Sequence, residues 1–367
     1  MSERNLLMIP GPIEFEPAVL RALGEKTRSH LDPVFMKAFS RALKNLRVVF
    51  GAPTAQPFVV AGSGTLAMEM AVANLVQAGD KALVVNTGYF SDRIANMLER
   101  HGATVTQVKV PPGDAPPVAE VEKALATGGF KVMTVTHVDT STAVLAPLRE
   151  YAEAAKKFGV LVIADGVCSV GGEALEMEAW GVDVAFTASQ KALGTPPGLA
   201  VLLASQRAMN AWKTRTKPVA GMYLDFSEWL PIHEAYEAEK PAYFATPPVN
   251  LITALDVSLQ LIVNETMPVR LARHVSIATE LRATWKRLGL TMVPKTEAIS
   301  AHTLSALYYP QGVDAALVKA LGELGITVAG GLHPEIKTKY FRVGHMGAVN
   351  RNDVAAVSSA IERALKK

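Results

Sequence analysis

Through most of the chain, short apolar runs alternate with amphipathic stretches. Residues 57–61, 81–86, 104–110, 132–137, 160–165 and 182–186 are rich in Val, Ile, Leu and Phe and predict buried strands. Between and around them, apolar positions recur at helical spacing over 17–23, 34–50, 66–76, 87–100, 118–126 and 148–158. Strands alternating with helices predict an α/β fold with a mostly parallel sheet. The region 213–244 is aromatic and without clear period, and reads as irregular. Helices follow at 251–264 and 269–288. Beyond them the texture becomes α+β, with strands near 303–309 and 341–343 and helices near 314–324 and 352–365. The change places a domain boundary near residue 265: an N-terminal arm and large domain over 1–264, and a smaller C-terminal domain over 265–367. A chain of 367 residues is long for a single core, which agrees with that division.

Composition narrows the class. Hydrophobic residues make up 49% and charged residues 19%, the balance of a globular protein. A net charge of +3 is too small to argue for nucleic acid or a membrane surface as partner. One cysteine, Cys168, excludes a disulfide scaffold and a cysteine-based metal site. His233-Glu234-Ala235-Tyr236-Glu237 holds half of a zinc-protease motif without its second histidine, and no metal is expected there. No apolar run approaches a membrane span. Met1–Asn5 is polar with no signal-peptide core behind it, and the Ala364-Leu365-Lys366-Lys367 end is not a peroxisomal signal, so a cytoplasmic enzyme is expected.

Candidate chemistry gathers at predicted strand ends. Lys191 stands in Ala188-Ser189-Gln190-Lys191-Ala192-Leu193-Gly194-Thr195-Pro196-Pro197-Gly198, between small residues and rigid turns. Lysine amines form Schiff bases with carbonyl compounds, as in pyridoxal phosphate enzymes. On local sequence alone, a surface lysine at a loop mouth is the first reading. Val160–Ala164 ends in Asp165, where open α/β sheets bind ligands. A carboxylate there would keep a pyridine nitrogen protonated; alone, it reads equally as a helix N-cap. The pair together favours the cofactor. Gly62-Ser63-Gly64-Thr65 leads from a strand into a helix, which offers free amides and a positive dipole end to a phosphate, or is an ordinary capped turn. Phe90, just past a strand, suits stacking on a pyridine ring or packing in the core. Asp139-Thr140-Ser141-Thr142 is a hydroxyl cluster at another strand end.

With these residues assembled, the chain resembles the class V pyridoxal-phosphate-dependent aminotransferases of the alanine–glyoxylate and serine–glyoxylate group, and most closely the fungal alanine–glyoxylate members. The resemblance covers nearly the whole chain. It rests on Ile9-Pro10-Gly11-Pro12, Ala61–Thr65, Thr136–Leu145, Thr187–Ala192, Tyr243–Val249 and Arg342–Gly347. It implies the type I fold of pyridoxal phosphate transferases and a ping-pong exchange between an amino acid and a 2-oxo acid. Alanine, with serine as the other donor, and glyoxylate, giving glycine, are the implied substrates. It implies that Lys191 bonds the cofactor and shuttles a proton, that Asp165 pairs with the ring nitrogen and that Val167 and Phe90 lie against the ring. Ser63, Gly64, Thr65 and Gln190 would hold the phosphate, and Thr140 the ring-hydroxyl side. Arg342 would clamp the substrate carboxylate, with Gly11 nearby. Tyr243 and Thr246 would reach the phosphate of a partner subunit, which implies a homodimer with shared sites. The animal members carry tryptophan where this chain has Phe90 and histidine where it has Thr65. Alternatives are a serine–pyruvate or 2-aminoethylphosphonate–pyruvate transaminase, a silent scaffold and, more distantly, a cysteine desulfurase-like lyase. The last needs a mobile cysteine in the C-terminal half, whereas Cys168 stands three residues after Asp165.

Overall fold

A computed structural model describes residues 5–366; the polar Met1–Arg4 segment and the terminal Lys367 read above lie outside them. The N-terminal arm carries β1 (Leu6–Leu7) and leads to α1 (Pro17–Leu23) and α2 (Pro33–Phe50). Next come β2 (Gln56–Ala61), α3 (Gly64–Leu75), β3 (Lys81–Asn86), α4 (Tyr89–Arg100), β4 (Thr104–Lys109), α5 (Val118–Leu125) and β5 (Phe130–Thr136). A small hairpin of β6 (Val138–Asp139) and β7 (Val144–Leu145) precedes α6 (Leu148–Lys157), β8 (Leu161–Asp165), α7 (Met177–Trp180), β9 (Val184–Ala188) and β10 (Leu199–Ala204). Then follow α8 (Gln206–Lys213), α9 (Phe226–Glu237) and α10 (Val249–Glu265). The remainder is α11 (Met267–Arg287), β11 (Leu304–Tyr308), α12 (Ala316–Glu323), β12 (Ile326–Thr327), β13 (Ala329–Gly330), β14 (Tyr340–Gly344) and α13 (Arg351–Leu365).

Seven strands form one sheet in the order β2-β10-β9-β8-β5-β3-β4. All neighbours run parallel except β10, which is antiparallel to both β2 and β9. Side chains alternate between two buried faces, as a period of two requires. Val59, Leu83, Val85, Val135, Val162 and Val201 face a core shared with α2, α6 and α10. Phe58, Val60, Val84, Ile163, Phe186 and Leu202 face the one shared with α3, α4 and α9. Each such Val, Leu or Ile contributes about 1.5–3 kcal/mol over an exposed position. In the C-terminal part, β11, β14 and β13 form an antiparallel sheet. Its core joins Trp285 of α11, Leu321 of α12 and Val357 of α13. The arm crosses to this part: Leu6 pairs with Ile326, and Leu6 and Met8 enter its core. Between α10 and α11 only Thr266 intervenes, with φ 68°.

Three expectations change. Region 213–244 is not wholly irregular, because α9 occupies its centre. Asp225 caps the first turn by accepting from Ser227 N at 2.9 Å, and Phe226, Trp229, His233 and Tyr236 are buried at helical spacing. Pro231 inside the helix masks that period. The helix expected from residue 66 begins at Gly64, with Ser63 as N-cap. The one expected from residue 87 begins at Tyr89. No helix among the described residues is long and apolar enough to cross a membrane.

Candidate active site

Strand register brings the candidate residues to one edge of the sheet. Thr136 pairs with Asp165, Asp165 with Phe186, Ala188 with Ala200 and Leu199 with Ala61. The connections carrying Ser63, Phe90, Thr140, Val167 and Lys191 all leave from this edge, where an open α/β sheet binds ligands.

The Lys191 turn is fixed from below. Ser189 Oγ donates to Pro196 O at 2.8 Å and accepts from Leu199 N at 3.2 Å, while Thr195 N donates to Ser189 O at 2.9 Å. Lys191 Nζ reaches out of this turn to donate to Pro10 O on the arm. Gly11, at φ 108°, lies so close that a Cβ there would stand 2.5 Å from Lys191 Cδ. Only glycine fits that position.

Asp165 is 2% exposed, and its Oδ1 accepts from Val167 N at 2.9 Å. Burial pushes its carboxyl up from 3.8 to about 7, with the Asp139 charge adding to the effect; the Val167 amide and the Lys191 and Arg93 charges pull the other way. A buried carboxylate so displaced ionises fully only beside a cation. A protonated pyridine nitrogen meets that need.

At the α3 N-terminus the Ser63 side chain makes no capping bond, so the first amides stay available. A Cβ on Gly64 would press on Ala188 Cβ and Val167 Cγ2 at 3.1 Å each. Among the described residues, Gln190 Oε1 is buried without a hydrogen-bond partner. Free amides at a helix N-terminus fit an oxygen-rich anion, and the orphaned side-chain amide of Gln190 fits a hydrogen-bonding group that the described residues do not supply. These features together fit pyridoxal phosphate.

Phe90 sits in the first turn of α4, held by Asp139. Phe90 N donates to Asp139 Oδ2 at 3.1 Å, Ser141 Oγ donates to Asp139 Oδ1 at 2.5 Å, and Tyr89 N donates to Ser141 Oγ at 3.0 Å. Thr140 Oγ1 lies 2.8 Å from Cys168 Sγ, so its hydroxyl already has a partner. Arg342, on β14, donates from Nε to Gly330 O at 2.9 Å and from Nη1 to Thr140 O at 3.2 Å. Both of these bonds go to carbonyls. Burial pushes the buried Cys168 thiol up, while Lys191, Asp165 and Arg342 all act on it by charge. Tyr243 is 64% exposed, its ring 5.6 Å from that of His30, and Thr246 is exposed as well.

Two residues of the site escaped the sequence reading. Asp139 was visible only as part of a hydroxyl cluster, and nothing marked it as the clamp on α4. Arg93 looks like one more charge on an amphipathic helix, yet its Nη1 lies 3.4 Å from Thr65 Oγ1. Its only local signal is a position one helical turn after Phe90.

The class-V aminotransferase family model matches residues 19–355. Alanine–glyoxylate aminotransferase 1 of Saccharomyces cerevisiae is 42% identical, over 95% of this chain and 94% of the yeast protein. L-aspartate–glyoxylate aminotransferase of Paracoccus denitrificans is 34% identical, over 98% of this chain and 90% of the relative. A crystal structure of alanine–glyoxylate aminotransferase from Nostoc sp. superposes with a TM-score of 0.93 at 34% identity, covering 100% of this chain and 96% of the other. With its sheet edge, its lysine and its buried carboxylate, the chain belongs to the class-V aminotransferases, and its cofactor is pyridoxal phosphate.

Proposed function

We propose that the chain is a homodimeric transaminase that moves the amino group of a small amino acid, alanine before serine, to glyoxylate. Glycine and a 2-oxo acid are the products. The observation that carries this reading is the meeting at one end of the sheet of Asp165, which ends β8, Lys191, in the turn after β9, and Arg342, whose Nη1 donates to Thr140 O at 3.2 Å. The yeast and Nostoc proteins named for alanine and glyoxylate support the choice of substrates. We also assign residues 1–264 to the arm and large domain and 265–367 to the small one, because α10 packs into the large core and α11 into the C-terminal one.

Bound pyridoxal phosphate supplies a carbonyl that joins amines and a ring that withdraws electrons from the adjoining carbon. Ser63, Gly64, Thr65 and Gln190 would hold its phosphate, Thr140 the ring-hydroxyl side, and Val167 and Phe90 the ring. Asp165 would keep a proton on the ring nitrogen. Lys191 Nζ would take up and return the proton of the amino-acid Cα. Arg342, anchored by two carbonyls, turns its remaining N–H groups to the substrate carboxylate, whose two oxygens match the guanidinium fork. Gly11 keeps the arm close enough to line that pocket.

Arg342→Lys keeps the charge and loses the fork. It should raise KM for amino and oxo acids alike by about 10- to 100-fold, the range of a lost charge-assisted hydrogen bond, with kcat changed less. The same assay, run with alanine, serine, aspartate and 2-aminoethylphosphonate against glyoxylate and pyruvate, tests the substrate choice. A higher kcat/KM for aspartate or the aminophosphonate removes the small-substrate reading, and a higher value for serine changes only the donor.

The exposed Tyr243 and Thr246 lie in a proline-flanked connection, a suitable place to serve a neighbouring copy. Each site is then completed by Tyr243 and Thr246 of the partner subunit. Mixing Lys191→Ala subunits with Tyr243→Ala/Thr246→Ala subunits should restore one intact site per heterodimer. If heterodimers form, the double variant alone is impaired and no activity returns, the sites are not shared.

A further inference from the structure

The loop from Gly62 to Thr65 contains no lysine or arginine. It offers amides, two hydroxyls and the half-charge of a helix N-terminus. A phosphate monoester carries about −1.5 to −2 charges near neutral pH. Lys191 Nζ is directed elsewhere, to the Pro10 carbonyl. The loop therefore leaves most of the anion's charge unmatched within one chain.

Arg93 is the cation that stands over this loop. Its guanidinium carbon lies 5.1 Å from the Tyr89 ring centroid and 5.0 Å from that of Phe90. Nη2 donates to Tyr89 Oη at 3.2 Å, and Nη1 donates to Thr65 Oγ1 at 3.4 Å, a long bond. No carboxylate forms an ion pair with it among the described residues. The stem is firm, because Asp139 clamps the first turn of α4 through the Phe90 amide. A guanidinium seated over two rings, with one nitrogen toward a helix N-terminus and no ion-pair partner among the described residues, is prepared for an oxyanion.

We infer that Arg93 is a ligand of the cofactor phosphate, closing over the α3 N-terminus from α4 and supplying the positive charge that the Gly62–Thr65 loop lacks. The inference rests on that loop being the phosphate site. It separates Arg93 from two other roles: propping Phe90 against the ring from behind, and taking the side-chain carboxylate of a dicarboxylic donor. The bond toward Thr65, whose amide lies in the first turn of α3, favours the phosphate.

The test removes the phosphate from the ligand as well as the charge from the protein. Full-length enzyme stripped of cofactor is titrated with pyridoxal phosphate and with pyridoxal, following the absorbance of the bound ligand, and its melting is measured with inorganic phosphate. Arg93→Gln should weaken pyridoxal phosphate by about 10- to 100-fold, leave pyridoxal within about twofold, and abolish the stabilisation by inorganic phosphate. Arg93→Lys should fall between the two and carries the test if the glutamine variant does not fold. Equal weakening of both ligands would make Arg93 a prop for Phe90 and overturn the inference. So would unchanged cofactor affinity, including the case in which only aspartate turnover is lost. If the unsubstituted protein binds pyridoxal phosphate no better than pyridoxal, the phosphate loop itself is misassigned, a result separate from any effect of Arg93.

Discussion

Replacing Lys191 by alanine is expected to lower kcat by about 10²–10⁴-fold or more, the range of a lost general acid–base group, while the protein stays folded. Lys191 leaves a turn whose bonds run through Ser189, Thr195 and Leu199 and not through its own side chain. Removing that side chain therefore leaves the β9–β10 connection intact. Lys191→Arg separates the proton from the charge. It keeps a cation in place, but a guanidinium cannot give up its proton, so it should be as inactive as alanine. The added bulk would also meet Gly11, which already lies against the lysine stem. A small amine added to Lys191→Ala should recover part of the lost rate, because the position then lacks a base rather than a shape. Borohydride, which fixes a carbon–nitrogen bond between cofactor and protein, should leave the cofactor on the peptide containing Lys191. Label on another lysine, or near-normal turnover in either variant, would remove Lys191 from the chemistry.

The sequence revealed the sheet better than it revealed what lies between its strands. Strand β3 falls on the expected residues because a buried parallel strand is an unbroken apolar run with sharp ends. Strand β10, Leu199–Ala204, is not among the expected strands: it is entirely apolar, and a short apolar run behind a Gly-Pro break has no period that separates a strand from a buried helix segment. In α9 a proline and a crowd of aromatics hid the spacing that burial makes plain. The same contrast holds at the site. Lys191 and Asp165 could be found because their chemistry is tied to residue type and strand ends, and Arg342 because it opens a segment, Arg342–Gly347, that carries the family resemblance. Asp139 and Arg93 could not, since each acts through a contact that only the folded chain creates: a carboxylate on the amides of α4, and a guanidinium across two rings toward another helix. Tyr243 and Thr246 are a further kind, because one chain leaves them facing outward.

Asp165→Asn is expected to lower kcat by orders of magnitude while making the cofactor-free protein more stable at neutral and alkaline pH. Both effects have one cause. Burial raises the Asp165 carboxyl from 3.8 to about 7. The folded cofactor-free chain therefore binds a proton more tightly than the unfolded chain does. Stability from this group is complete below about pH 3.8 and is lost as pH rises toward about 7, where the folded chain must hold a buried charge. Asparagine carries no such charge. The stability difference between Asp165→Asn and the unsubstituted protein should widen across that window in favour of the variant, and flatten above it. Pyridoxal phosphate changes the balance. A protonated ring nitrogen gives the carboxylate its counter-charge, so the cofactor should stabilise the unsubstituted protein more than it stabilises the variant. The same missing charge leaves the ring nitrogen unprotonated in Asp165→Asn, and the ring then withdraws electrons poorly from the substrate carbon. Melting curves of both proteins from acid to alkaline pH, with and without cofactor, alongside kcat with alanine and glyoxylate, check each half. Near-normal kcat would mean that another carboxylate faces the ring. A cofactor-free variant that gains nothing over the unsubstituted protein as pH rises would mean that Asp165 is not the strained group its burial makes it.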